Sequence, residues 1–322
     1  MANMETNSIN QSYKTPAYHM GLGWEKYIDP YGDNESTSGL NNSKRPFPIQ
    51  NTTGSSETCY TITIGNILLI MWGDDGGQHN YIKNMDWFYS QLENNSDKNI
   101  LICSHNFICP SNFNSDLIRE VHKILKTMKN STNVVAWIRG HSHYYGYSGL
   151  ETVLLRGWTG AYWMGTRVYR VPEWNITHIY VDGIDTCHAG DFSHSYLFTF
   201  SEGSKTIQIG DFNHTSNRWN DSTPAAPGNY TLQMKYPFNY CKKANVDAEK
   251  NEKKIKIWFS SDYHVDCNST QMLDAIKDAD IYFPDWNISC VLGDIVDKAS
   301  IENYQLWQNI RKLFTIKSNN LI

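Results

Sequence analysis

The stretch Ile257–Asp266, IWFSSDYHVD, sets an apolar run directly against an acid and a histidine two residues apart. Ile257, Trp258 and Phe259 predict a buried strand, because short runs of β-branched and aromatic residues fit an enclosed pleated surface. Asp262 and His264 then fall where the strand gives way to a loop. In open α/β sheets, ligand sites gather beyond the carboxyl ends of strands. The pair therefore reads as one part of a metal-binding or catalytic site whose other parts lie elsewhere in the chain.

Three further patterns share this construction. VLGDIVD carries Gly293, Asp294 and Asp297, ICSHNF carries His105, and IRGHSHYYG carries Gly140, His141 and His143, each after an apolar run. Imidazole and carboxylate donors together suit first-row transition metals, and one carboxylate can bridge two cations. Gly-Asp also recurs at 32–33, 73–74, 190–191 and 210–211, so each pattern alone is weak. Their conjunction at strand exits carries the reading.

Working outward, residues up to about 56 are rich in Asn, Gly, Pro and Ser and read as loops. CYTITIGNILLIMW predicts two strands, followed by an amphipathic helix around Ile82–Leu92 and the strand NILICS. Leu117, Ile118, Val121, Ile124, Leu125 and Met128 have helical spacing, with Ser115 as N-cap. VVAWIRG, TVLLRG, ITHIYVD, SYLFTF and KTIQIG predict further strands. Between about 216 and 253, Pro, Gly and Asn and then charged residues have the chemistry of a linker. IKIWFSS then predicts a strand, Met272, Leu273, Ile276 and Ala279 a helix, and ISCVLG a strand. Ser300 caps a helix with Ile301, Tyr304, Trp307, Ile310 and Leu313 on one face, before a short strand FTIK. Strands alternating with helices imply right-handed crossovers and a largely parallel core.

A formal charge of -5 argues against a general polyanion binder, and no nucleic-acid-binding signature is visible. The longest apolar stretch, ITIGNILLIMWG, is too short for a membrane span. MANMETNSINQSYK lacks the charged and apolar regions of a signal peptide, which leans toward a soluble cytoplasmic protein while leaving the compartment open. The seven cysteines show no CxxC spacing, so Cys59, Cys103 and Cys290 are expected to be buried free thiols. Sequons such as Asn130-Ser131-Thr132 are expected by chance in so Asn-rich a chain.

The four patterns resemble those of the calcineurin-like metallophosphoesterases. DYH at 262–264 and GDIVD at 293–297 match that family's first two motifs, and SH at 104–105 and GHSH at 140–143 match its last two. The order is swapped, so the resemblance implies a circularly permuted four-layer α/β/β/α sandwich of mixed sheets. Residues 1–215 would be its second half, 216–253 a linker joining the ancestral termini and 254–322 its first half. A flexible linker of that length spans about 30 Å, enough for neighbouring strands. The resemblance also implies two divalent or trivalent metal ions (Mn, Fe or Zn). Asp262, His264 and His143 would hold one ion, Asn319, His105 and His141 the other, and Asp294 would bridge them. Asp297 would orient a ligand from behind or cap the following helix.

The activity implied by the resemblance is hydrolysis of small phosphate mono- or diesters, driven by a metal-activated hydroxide. The sequence departs from the family where Asn320 stands in place of a histidine that helps the leaving group depart. An amide does not titrate near neutrality and cannot be a general acid. The alternative is a catalytically impaired metal-binding module on the same scaffold. Gly73–Gly77 (GDDGG) reads as a turn, DTCHAGDFSHS with His188 and His194 as an edge loop, and GWTGAYWMG as a packed aromatic cluster.

Overall fold

The structure is a computed structural model. It describes residues 49–50, 59–72, 85–104, 133–139, 152–154, 168–171, 176–181, 184, 194–219, 229–240, 254–261, 263, 265–292, 306–307 and 309–310. The first sheet is built from β1 (Ile49–Gln50), β2 (Cys59–Ile64), β3 (Ile67–Trp72), β4 (Asn99–Ser104), β5 (Val134–Arg139), β6 (Thr152–Leu154), β7 (Val168–Val171) and β8 (Ile176–Tyr180), with α1 (Met85–Asn94) between β3 and β4. Its order is β1-β2-β3-β4-β5-β8-β7-β6. The second sheet contains β9 (His194–Ser201), β10 (Thr206–Asn213), β11 (Arg218–Trp219), β12 (Asn229–Gln233), β13 (Lys254–Ser260) and β14 (Ile288–Val291), with α2 (Val265–Tyr282) between β13 and β14. Here the order is β11-β10-β9-β13-β14, and β12 pairs with β10.

Alternation decides which side chains meet. Tyr60, Ile62 and Ile64 of β2, Leu69 and Met71 of β3, and Leu101 and Cys103 of β4 share one buried core with Tyr196, Phe198 and Phe200 of β9 and Ile257 and Phe259 of β13. The two sheets therefore bury their facing sides against each other. Across the β9–β13 ladder Ile257 opposes Phe198 and Phe259 opposes Tyr196, with the Phe198 and Phe259 rings 4.7 Å apart. Behind the first sheet, Trp72 stacks on Phe88 of α1 at 4.1 Å and 8°. Trp258, one residue out of phase with Ile257 and Phe259, faces α2 and meets Phe283 and Trp286. Burying such aromatics contributes about 1.5–3 kcal/mol each.

The β2–β3 hairpin turns on Gly65-Asn66, with Ile64 paired to Ile67. Gly65 has φ +58°, and an added Cβ would lie 2.0 Å from the Asn239 carbonyl, so both conformation and space demand glycine. Asn66 and Asn99 act as side-chain strands. Asn66 Nδ2 donates to the Pro237 carbonyl (2.7 Å) and its Oδ1 accepts from the Asn239 amide (2.9 Å), while Asn99 exchanges the same pair of bonds with Tyr236 at 3.0 Å each. The segment expected to be a linker thus carries β11 and β12 and is fastened to the first sheet just after β12.

The predicted strands around 59–72, 99–104, 134–139, 196–201, 206–210, 255–260 and 288–291 are present, as are helices near 82–92 and 272–279. Cys59, Cys103 and Cys290 are buried free thiols. The assembled fold is not the expected one. The described chain is mostly β, with only two helices. Three successive parallel steps, from β3 to β4, β5 and β8, return the chain to the same sheet each time, like about three turns of a β-solenoid. A four-layer α/β/β/α sandwich needs a helical layer over each sheet, and the described residues hold α1, α2 and only four further α-helical residues, at 306–307 and 309–310. The helix expected over 117–128 lies outside the described residues, and of the one expected over 301–313 the described residues, 306–307 and 309–310, are helical.

Candidate functional site

Each sequence motif begins where a described strand stops. Ser104 ends β4 and is followed by His105, and Arg139 ends β5 and is followed by Gly140-His141-Ser142-His143. Ser260 ends β13 two residues before Asp262, and Val291 ends β14 three residues before Asp294. These strands run parallel in pairs, with Ser104 in register with Arg139 and Ser260 with Val291. Within each sheet the two exits therefore open side by side.

Contacts between the sheets, and within the second one, bring the two pairs of exits together. The Cys103 and Cys290 thiols, each next to last in its strand, lie together in the buried core between the sheets. Burial is the main reason that the Cys103 thiol is held well above its ordinary pKa, with Cys290 adding to the effect. Thiolate chemistry is thus suppressed, and the pair serves as packing. The Ser261 carbonyl accepts from Ile184, just past β8, at 3.0 Å, and the Ser260 carbonyl from Leu292, just past β14, at 2.9 Å. Between Asp262 and His264, Tyr263 is buried, its hydroxyl 2.7 Å from Ser260 Oγ and its ring against Trp307. Burial pushes its phenol far above the ordinary range. This tyrosine anchors the loop on both sides of which the predicted ligands stand.

Asp262, His264, Asp294, Asp297, His105, His141, His143, Asn319 and Asn320 all lie outside the described residues. So do Gly73–Gly77, His188 and the aromatics of 157–165. Among the described residues no three His, Cys, Asp or Glu side chains form a metal-holding group.

Sequence reasoning missed a polar cluster beside these exits. His194 was expected in an edge loop, but it opens β9, a central strand between β10 and β13. Its Nδ1 lies 2.8 Å from Asp211 Oδ1 and its Nε2 3.0 Å from Asn213 Nδ2, with His194 and Asp211 fully buried. The Asn213 amide donates to Nε2, which leaves the proton of the neutral ring on Nδ1, facing the carboxylate. Because β9 is antiparallel to β13, its first residue lies at the end where β13 exits. On the opposite face of the same strands, Ser195 Oγ is 2.8 Å from His214 Nε2, and His214 Nδ1 is 3.0 Å from Asp278 Oδ2 of α2. Burial lowers the His214 pKa, against an upward pull from Asp278 and Asp211. The readable signal was the alternation in Asp211-Phe212-Asn213-His214, two polar residues for one face and an aromatic and a histidine for the other.

No family model, curated protein or solved structure matches this chain. With that result and the mostly β architecture, membership of the calcineurin-like metallophosphoesterases is not upheld, and neither is a permuted form of their sandwich. No helix of the described residues is long and apolar enough to cross a membrane.

Proposed function

We propose that this protein is a metal-dependent hydrolase of small phosphoric esters, with its site at the shared exits of β4, β5, β13 and β14. The observation that carries the reading is the convergence of those exits, marked by the packing of Cys103 near Cys290, each leading into acids or histidines. Asp262, His264, Asp294, His105, His141, His143 and Asn319 supply a mixed imidazole, carboxylate and amide donor set, which fits two ions such as Mn, Fe or Zn. Bound there, such ions supply Lewis acidity and lower the pKa of water to the neutral range.

The protein's own residues set the limits of the chemistry. In this proposal Asp294 would contribute to both ion sites, and Asp297 would orient a ligand histidine or cap the following helix. Asn320 donates hydrogen bonds to a phosphate oxygen but has no proton to give a departing alkoxide. General-acid help contributes typically 10²–10⁴-fold, so esters with acidic leaving groups such as aryl phosphates are the preferred substrates.

Purified protein loaded with Mn²⁺ should carry about two metals per chain and hydrolyse p-nitrophenyl phosphate or its bis ester. Asp294→Ala should lose both properties. Full metal content without turnover would mark the site as a binding module, and no bound metal under supplemented expression would overturn the proposal.

A further inference from the structure

The Ser195–His214–Asp278 chain has the distances of a nucleophilic relay but the wrong orientation for one. Asp278 and His214 retain side-chain exposures of 11% and 4%, while Ser195 at the far end is 0% exposed. A nucleophile must meet its substrate, and here the hydroxyl is the sealed end. The chain instead spans three elements, joining β9, the residue just after β10 and the C-terminal half of α2 into one hydrogen-bonded line.

We propose that Ser195, His214 and Asp278 form an acid-released clamp that holds α2 on the six-stranded sheet. The neutral ring satisfies every bond: Nδ1–H donates to Asp278 and Nε2 accepts from the Ser195 hydroxyl. Protonation turns Nε2 into a donor, so the buried hydroxyl must rotate away and give up its own donor bond, a costly loss in a site closed to water. Among the described residues, the charged groups that act on the ring are Asp278 from α2 and Asp211 from β10. β9 presents the Ser195 hydroxyl. The turn contributes Asn217, in a left-handed conformation (φ 51°), whose side-chain amide lies 3.0 Å from the Asp278 carboxylate and the His214 carbonyl, acceptors that its nitrogen satisfies when turned toward them. The titratable Tyr282 packs on Phe212, which meets the ring edge-on at 5.0 Å.

The lowered folded pKa sets the direction of the effect. With α2 detached, the ring titrates near its ordinary value of about 6.5; docked, it holds its proton less well. Docking is thus fully favoured above pH 6.5 and weakens as pH falls from there toward the folded value, by at most about tenfold per pH unit for one proton. Because α2 lies between β13 and β14 in the chain, acid loosens the link between two of the four converging exits. This inference stands whether or not those exits carry out hydrolysis.

Hydrogen exchange of the full chain, followed from pH 7.5 to 5 and corrected for intrinsic rates, tests the clamp on residues 273–282 against β4 as reference. Protection of α2 should fall by up to about tenfold per pH unit below 6.5 while β4 stays level, and His214→Gln should flatten that slope. A slope unchanged in His214→Gln overturns the clamp. Where the variant does not fold, the parent's His214 ring resonances decide. A ring that stays neutral until α2 opens supports the clamp, and one that titrates near 6.5 with α2 still protected overturns it.

Discussion

Two His–Asp pairs lie on opposite faces of one pair of strands. His194–Asp211 sits within the β9–β10 ladder, on the face turned to the other sheet, with both side chains at 0% exposure. His214–Asp278 sits on the outer face and joins the sheet to a helix. The first pair is held by two strands that also share a backbone ladder, so its geometry is fixed by the sheet itself. The second exists only while α2 is docked. Equal chemistry thus yields a permanent strut in one place and a releasable contact in the other.

Breaking the sealed pair should cost most. His194→Ala withdraws one partner of a fully buried carboxylate, and such losses run to about 3–5 kcal/mol; urea unfolding measures it. Asp278→Asn should cost about 1–2 kcal/mol, because the site reaches solvent at its carboxylate end and a neutral amide keeps one hydrogen bond. A double-mutant cycle on each pair sharpens the contrast, with the larger coupling expected for His194 and Asp211. Ser195→Ala removes only a neutral hydrogen bond and should cost about 1 kcal/mol. Lys256–Asp285, at 2.6 Å but with Asp285 mostly exposed, is the solvent-facing control. Asp285→Ala should shift stability by less than about 1 kcal/mol, an effect that shrinks further in high salt. Equal losses at Asp278 and His194 would erase the distinction between strut and clamp.

Local elements were legible because their signals are local. The alternation in Cys59–Ile64, the apolar run Ile67–Trp72 and the helical spacing of Leu273, Ile276 and Ala279 each need only near neighbours to be read. Their assembly was not legible. Nothing near Asn66 or Asn99 announces bonds to residues 137–173 positions away, which fasten a region with the composition of a linker. The four-layer expectation failed for the same reason. Short motifs at strand ends state what chemistry a loop can offer, but they do not state how many helices cover a sheet. Of the candidate site, sequence supplied the donor types and their attachment to four strands. The Tyr263–Ser260 anchor left no sequence signal strong enough to read, and of the buried His194 cluster only the alternation over Asp211–His214 was legible.

The sequence by itself determined where strands begin and end and that Cys59, Cys103 and Cys290 would be buried thiols, because periodicity and side-chain shape act over a few residues. Only tertiary structure decided that the β4 and β14 exits meet and that Asp211 and Asp278 take separate histidines. Those outcomes depend on which faces pack together, and a side chain's partner across a core is set by the register and stacking of whole sheets.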